Sequence, residues 1–272
     1  MKKKINNHEM QKIELNILTH FHEICQKYRI RYVLAYGSCI GAIRHNGFIP
    51  WDDDIDVLVP ASDYNRLLSV LSSESGIFSV KNIYNDNNYL YSYAKLTDSR
   101  TLLCEEFDSS HNMGIYIDIF PVYGLPANPI LRILRFCYIQ FQEILCISVR
   151  QPIPIGKSRV RTIIQKCLSV IGKKIGLKKL NRSIIRLAKK TSYETATFYS
   201  VLPPNYGFKE ILDFDLFERR ELHSFENSFF YVSFQSDKYL RQIYGNYMKL
   251  PSENERRSHH FHVDVFVEEE DK

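Results

Sequence analysis

The chain has 272 residues and a mass of 32.1 kDa, which allows one large domain or two closely packed domains. Apolar residues make up 44% and charged residues 25%, values typical of globular proteins, and they exclude a disordered or low-complexity chain. The formal charge is +5, from 36 basic and 31 acidic residues.

No run of the sequence approaches the ~20 apolar residues that cross a bilayer, and the polar N-terminus does not predict a signal peptide. The six cysteines lie far apart without a Cys-x-x-Cys pair, which predicts reduced thiols rather than a disulfide or zinc framework. We therefore expect a cytoplasmic protein.

Basic residues are concentrated in one part of the chain. The cationic window, residues 144–193, contains thirteen Lys or Arg and no Asp or Glu, which leaves 23 basic against 31 acidic residues in the rest. An acidic protein with one cationic segment predicts a polyanionic partner, such as anionic lipid, nucleic acid or a phosphorylated polymer.

Hydrophobic spacing and turn residues predict an α/β (α+β) fold, with helices before and between the strands of a sheet. Up to Phe120 the predicted elements are a helix over 8–28, a strand over 31–36, a short helix over 39–44, a strand over 55–59, a helix over 62–71 and β-like runs at 77–83, 89–97, 100–107 and 114–120. Pro121 is predicted to end the last strand.

Beyond this point the pattern changes. From Asn128 to about Lys190 it is helical and basic, and the remaining residues are mixed and rich in aromatic side chains. We therefore predict a catalytic core over 1–126, a basic helical insertion over 127–195 and a C-terminal segment over 196–272 that packs back on the core.

The acidic run 52–56 carries the first chemical signal. In a strand, Asp54 and Asp56 would project from the same face about 7 Å apart, and such a pair repels unless a cation such as Mg²⁺ lies between them. Asp118 interrupts an apolar run in which a buried carboxylate is costly. Placed on a neighbouring strand, Asp118 would complete a metal site with three carboxylates.

The acidic run has other possible explanations. An EF-hand loop requires Gly where Val57 stands and lacks its terminal Glu, so it is excluded. An exposed acidic turn and the Asp-x-Asp motif of a glycosyltransferase stay open. The Gly37–Ser38 turn, which follows a predicted strand, would place backbone N–H groups and a hydroxyl where a phosphate can bind. Together these features are typical of the nucleotidyltransferase (DNA polymerase β-like) fold.

Three blocks of sequence carry a resemblance to a known family. The blocks are AYGSCIGAIRHNGFIPWDDDIDVLVPASDYNRL, GIYIDIFPVYGLP, and FERRELHSFENSFFYV followed by YLRQIYGNYMKLPSENERRSHHFHVDV. They resemble the LicD family, whose members transfer phosphorylcholine or another phospho-alcohol from a CDP carrier to a surface glycan. The family also includes the fukutin-related ribitol-phosphate transferases.

The resemblance implies roles for several residues of the first two blocks. Gly37 and Ser38 would contact the donor phosphates, while Asp54, Asp56 and Asp118 would be the catalytic residues and the ligands of Mg²⁺ or Mn²⁺. Asp118 is also the candidate to deprotonate the acceptor.

Further residues are candidates for substrate binding. Arg44 and His45 could neutralise the leaving CMP, and Lys95 could bind a donor phosphate, although all three could equally be surface residues. Trp51 could offer an aromatic face to a trimethylammonium group. Three more candidates come from the family's closing motif: Arg257, His259 and His260. The two histidines could assist proton transfer or bind phosphate, and they could also bind a metal or form a solvated tail.

The implied reaction is attack of a glycan hydroxyl on a CDP-alcohol, with phosphorylcholine as the expected group and release of CMP. Transfer of glycerol- or ribitol-phosphate, or of a sugar from a nucleotide sugar, are the alternatives. The acceptor would be a glycan or lipid-linked glycan of lipopolysaccharide, teichoic acid or capsule. The cationic window could contact an anionic membrane at its inner face, or it could be a solvated insertion. We expect no nucleic-acid partner.

Overall fold

The computed structural model describes residues 2–74, 76–105, 113–150, 159–252, 256 and 263–268. The helices are α1 Asn7–Lys27, α2 Tyr36–Ile40, α3 Ala61–Ser73, α4 Pro129–Arg150, α5 Arg159–Ile175, α6 Leu177–Ala188 and α7 Ser236–Tyr244. A π-helical turn, Gly41–His45, follows α2, and a 3-10 turn covers Gly207–Glu210.

The strands are β1 Lys2–Lys4, β2 Val33–Leu34, β3 Asp56–Pro60, β4 Phe78–Lys81, β5 Ala94–Asp98, β6 Thr101–Glu105, β7 Tyr116–Leu125, β8 Phe198–Val201, β9 Arg220–Phe225, β10 Ser228–Ser233 and β11 Val263–Glu268. The chain divides into two compact units. The first unit contains Met1–Lys81, Ala94–Pro121 and Leu216–Lys272, and the second contains Asn82–Tyr93 and Val122–Asp215.

The sheet of the first unit has the strand order β2-β3-β7-β5-β4. Strand β3 lies beside β7, and the Asp118 N–H donates to the Ile55 carbonyl at 2.8 Å. In the antiparallel pair of β5 and β7, Lys95 lies opposite Asp118. Asp56, the first residue of β3, and Asp118 are therefore on neighbouring strands, as predicted, whereas Asp54 precedes the strand.

Helix α1 begins with a capping box. The Asn6 side chain accepts from the Glu9 backbone N–H at 2.9 Å, and the Glu9 side chain accepts from the Asn6 backbone N–H at 3.0 Å. Its buried face includes Ile17, Leu18 and Phe21, all fully buried. This amphipathic pattern confirms the helix predicted over 8–28.

Two local predictions were wrong. The strand expected over 31–36 is limited to Val33–Leu34, because Tyr36 already begins α2. Pro121 does not end β7, which continues to Leu125. The pairing with β5 extends to Ile119 and the pairing with β8 begins at Val122, so Pro121 falls between these two ladders.

In the second unit, α4 packs against α5 and α6. Buried apolar side chains join these helices, among them Phe136, Ile139 and Ile184. The second half of β7 pairs with β8, and Asn181 Nδ2 donates to the Leu90 carbonyl at 2.8 Å. The helical character predicted for this part of the chain is confirmed.

Two smaller sheets complete the described structure. Strands β9 and β10 form a hairpin, and β11 lies between β1 and β6. The predicted α/β class, a mixed sheet with flanking helices, is confirmed. Among the described helices, none combines the length and apolar composition needed to cross a bilayer.

Candidate active site

The turn after β2 has an unusual backbone. Tyr36 has φ of 43°, a left-handed value that is strained for a bulky residue, and its ring packs edge-on against Phe120 with 5.9 Å between the ring centroids. This conformation starts α2 one residue before Gly37. The turn is thereby directed at the acidic run.

Gly37 and Ser38 both contact that run. A Cβ atom at Gly37 would overlap Asp52 Oδ2, so any other residue here would require the Asp52 carboxyl group to move. Ser38 is buried, and its Oγ accepts from the Asp56 backbone N–H at 2.8 Å. The hydroxyl proton of Ser38 is therefore directed away from this bond and available as a donor.

Two side chains of α1 form hydrogen bonds to the backbone of the acidic run. Gln11 Nε2 donates to the Asp52 carbonyl at 2.7 Å, and Asn7 Nδ2 donates to the same oxygen at 3.4 Å. Burial raises the pKa of Asp52 to about 8, and repulsion from Asp54 and Asp53 contributes. Asp52 and Asp53 are both buried, so this part of the run is not an exposed acidic turn.

Asp118 forms an ion pair across the sheet. Lys95 Nζ lies 2.5 Å from Asp118 Oδ1 and 3.5 Å from the centroid of the Tyr116 ring. The side chains of Lys95 and Asp118 are 4% and 15% exposed, so the pair is largely shielded from water. Lys95 is thus part of the acidic site and not a solvated strand lysine.

The electrostatics of Asp56 link the two strands. Burial raises the pKa of Asp56 well above its usual value, and repulsion from three carboxylates adds to this effect: Asp54, Asp118 and Asp52. Lys95 acts in the opposite direction. The carboxylates are therefore close enough to interact, and the repulsion among them is what a divalent cation would relieve.

The donor set of Asp54, Asp56 and Asp118 suits a hard cation, because it consists of carboxylate oxygens. Among the described residues, however, no three His, Cys, Asp or Glu side chains are already arranged to hold a metal ion. The metal site with three carboxylates stays a prediction, supported by donor chemistry and repulsion.

Sequence reasoning missed Glu14. This α1 residue is 1% exposed, and its Oε2 has no hydrogen-bond partner among the described residues. Burial raises its pKa well above the usual value, and repulsion from nearby carboxylates of the site adds to this: Asp54, Asp53, Asp52 and Asp118. Its signal in the sequence was a glutamate on the apolar stripe of α1, between Met10 and Ile17.

Arg44 and Trp51 line a cavity of about 640 Å³ together with Tyr244, Tyr247 and Lys249. Its walls also include Ile40, Ile49, Asn246, Leu250, Pro251 and Ser252. The described walls therefore combine aromatic rings with two basic side chains.

The basic side chains at and near this cavity make defined contacts. Arg44 donates to the Tyr247 carbonyl and, through Nε, to His45 Nε2 at 2.9 Å. Burial lowers the pKa of His45, and the Arg44 charge lowers it further. The Arg256 guanidinium lies 5.1 Å from the centroid of the Trp51 ring. Cationic side chains of this kind can bind phosphate groups, and the choline contact at Trp51 stays a prediction.

The remaining candidates are Arg257, His259 and His260, and they lie outside the described residues. Their predicted roles stay predictions.

The arrangement as a whole is that of a nucleotidyltransferase-type α/β domain, with a turn after one strand facing carboxylates on two neighbouring strands. The family model described as "LicD/FKTN/FKRP, nucleotidyltransferase domain" matches residues 29–129. Residues 29–129 therefore match the nucleotidyltransferase domain of the LicD family, which confirms the resemblance.

Two relatives extend this finding. The chain is 29% identical over 269 residues to the lipopolysaccharide cholinephosphotransferase LicD of Haemophilus influenzae, and the match covers 95% of this chain and 97% of that protein. It is 26% identical over 102 residues to the human ribitol 5-phosphate transferase FKRP, covering 38% of this chain and 18% of FKRP. The predicted enzyme class, a phosphotransferase, is the class of both relatives.

Proposed function

We propose that this chain transfers a phospho-alcohol from a CDP-alcohol to a hydroxyl of a cell-surface glycan and releases CMP. We propose phosphorylcholine as the transferred group, because the relative that matches nearly the full chain is named a cholinephosphotransferase. The observation that supports the proposal is a group of interacting carboxylates, in which Asp56 begins β3, Asp118 lies in β7 and Asp52 approaches Gly37.

In this proposal Asp54, Asp56 and Asp118 would hold Mg²⁺ or Mn²⁺. The bound ion would neutralise negative charge on the pyrophosphate of the donor. The repulsion among these carboxylates in the structure supports the assignment, since a cation between them would lower it.

The residues of the chain supply the other parts of the reaction. The acceptor oxygen forms a bond to the phosphorus that carries the alcohol, the bond to the CMP oxygen breaks, and the acceptor proton is removed. We assign this proton to Asp118, whose carboxylate is paired with Lys95 Nζ at 2.5 Å. Ser38 can donate its hydroxyl proton to a donor phosphate, because its oxygen accepts from the Asp56 N–H.

The cavity beside Trp51 would bind the nucleotide part of the donor. Its basic side chains, Arg44 and Lys249, suit the phosphate of the departing CMP, and the Trp51 ring suits a base. This assignment extends the role predicted for Arg44 and His45. It replaces the choline contact at Trp51 with a nucleotide contact.

We further propose a cytoplasmic location. The described cysteines are all free: Cys25, Cys39, Cys137, Cys146 and Cys167. Burial raises the pKa of Cys39 to about 12, so this thiol is kept protonated and unreactive. These features support a reducing compartment.

The test is an assay of the purified chain with CDP-choline, CDP-glycerol and CDP-ribitol, with CMP release as the readout and a lipopolysaccharide or teichoic acid acceptor. We expect release with one donor, its loss in EDTA and its return with Mg²⁺ or Mn²⁺. Preference for CDP-glycerol or CDP-ribitol would change the alcohol and keep the reaction. Release of a nucleoside diphosphate from a nucleotide sugar would instead identify a glycosyltransferase.

A further inference from the structure

Helix α5 has its apolar residues on the outside. Gly172 is buried against α4, where an added Cβ would lie 2.9 Å from the Leu145 carbonyl and 2.7 Å from Val149 Cγ2. At this point of contact the two helices approach closely, because α5 has a glycine there. The exposed apolar residues of α5 are Val160, Ile163, Ile164, Val170, Ile171 and Ile175. Val160 and Val170 are each 66% exposed, which is far from a core environment.

Helix α4 shows a similar exposed stripe. Its buried side carries Phe136, Ile139 and Leu145, while residues spaced three or four apart are exposed: Ile130, Leu134, Tyr138, Phe141 and Ile144. Isolated exposed apolar residues are common on protein surfaces, but stripes at helical spacing mark an interaction surface. We call these exposed residues of α4 and α5 the apolar surface.

The charge around the apolar surface indicates which kind of partner binds there. The cationic window holds thirteen Lys or Arg and no acidic residue, and it contains all of α5 and α6. A second copy of the same surface would bring these positive charges together, which is unfavourable. A nucleic acid would satisfy the charges and leave the apolar stripes in water.

We propose that the apolar surface binds an anionic lipid bilayer, with α4 and α5 lying in the interface. The Ile and Val side chains enter the acyl boundary, and the surrounding Lys and Arg contact acidic headgroups. Neither helix is long and apolar enough to cross the bilayer, which agrees with an interfacial position. The inference does not depend on the proposed reaction, because no residue of the acidic site takes part.

The test is sedimentation of the full chain with vesicles of phosphatidylglycerol or of phosphatidylcholine. We expect the chain to sediment with phosphatidylglycerol and to stay in solution with phosphatidylcholine. Raising the salt concentration should weaken the binding, because exposed charge contacts are screened. Equal binding to both kinds of vesicle, or to neither, would overturn the proposal.

Two variants test the two contributions separately. One replaces Val160, Ile163 and Val170 by Gln, and we expect vesicle binding to fall at least tenfold with no change of net charge. The other replaces four exposed basic residues of α5 by Gln: Arg161, Lys166, Lys173 and Lys174. We expect it to lose its preference for phosphatidylglycerol.

The matched control removes the same charge elsewhere, by replacing exposed Lys12, Lys27, Lys209 and Lys238 with Gln. It should bind vesicles as the parent chain does. Circular dichroism checks that every variant is folded, which the exposure of the altered side chains favours. A dimer in solution that disappears in the Val160, Ile163 and Val170 variant, without vesicle binding by the parent, would overturn the proposal and assign the surface to a second copy.

Discussion

The acidic site of the first unit and the apolar surface of the second depart from ordinary protein architecture in opposite directions. The first buries carboxylates, including Glu14 and Asp53 at 1% exposure, whereas the second exposes valines at 66%. Each arrangement lowers the stability of an isolated folded chain. Buried carboxylates lose their hydration, and exposed apolar side chains stay in contact with water. Such costs are typical of positions that serve a ligand, so both regions indicate function, and they indicate different ligands.

The largest expected effect is on turnover. Changing Asp54 to Asn should lower CMP release by roughly a thousandfold, the size seen when a key charge-stabilising group is removed. Unfolding stability should change little, because the substitution also relieves repulsion with Asp52 and Asp56. CMP release and thermal unfolding measure the two effects. A variant with normal turnover would remove the acidic site from the mechanism.

The next effect concerns the ion pair. Replacing Lys95 by Met leaves Asp118 without its 2.5 Å partner in a largely buried position, so we expect a loss of about 3 kcal/mol in the free energy of unfolding. Urea denaturation measures it. The double variant, Lys95→Met with Asp118→Leu, should recover much of the loss, because the carboxylate that lost its partner is removed as well. A double variant as unstable as the single one would contradict the ion-pair explanation.

Gly37 tests the close approach of the turn to Asp52. Alanine has the better helix propensity, but its Cβ would overlap Asp52 Oδ2, and we expect a net loss of about 2 kcal/mol. In the Asp52→Ala background the same change should cost clearly less. Additive losses in this double-mutant cycle would show that the two residues do not interact.

A smaller effect is expected at Asp63, at the start of α3. Burial alone would raise its pKa, but hydrogen bonds from the Arg31 Nε at 2.9 Å and backbone N–H at 3.0 Å outweigh it and lower the pKa below the ordinary 3.8. A lowered folded-state pKa means that the contribution to stability is present above pH 3.8 and is lost as the pH falls through the folded-state value.

Changing Asp63 to Asn should therefore lower the free energy of unfolding by about 1 kcal/mol at neutral pH. The difference from the parent chain should shrink on acidification. Denaturation at a series of pH values measures it, and a difference that stays constant down to the acid limit would show that ionisation of Asp63 plays no part.

The smallest effect is expected on the apolar surface. Ile163 is 60% exposed, so Ile163→Gln should change the free energy of unfolding by no more than about 0.5 kcal/mol. The buried Ile139 is the matched control, for which replacement by Ala should cost about 3 kcal/mol. Comparable losses at the two positions would mean that Ile163 packs in a core.

The local features of the molecule follow from short-range patterns in the sequence. The spacing of apolar residues determined α1, and the alternation around Asp54 and Asp56 indicated a strand edge with paired carboxylates, because both patterns depend on residues a few positions apart. The three sequence blocks also carry the resemblance to the LicD family, which the match over residues 29–129 confirms.

Which distant residues meet, and which side of a helix faces water, depends on long-range packing in the folded chain. The pairing of Lys95 with Asp118 and the burial of Glu14 against the acidic run bring together segments that no local pattern connects. The apolar stripe of α5 would look the same in sequence whether it faced a core or a membrane. Its exposure follows from the packing of Gly172 against α4, which is a property of the folded unit.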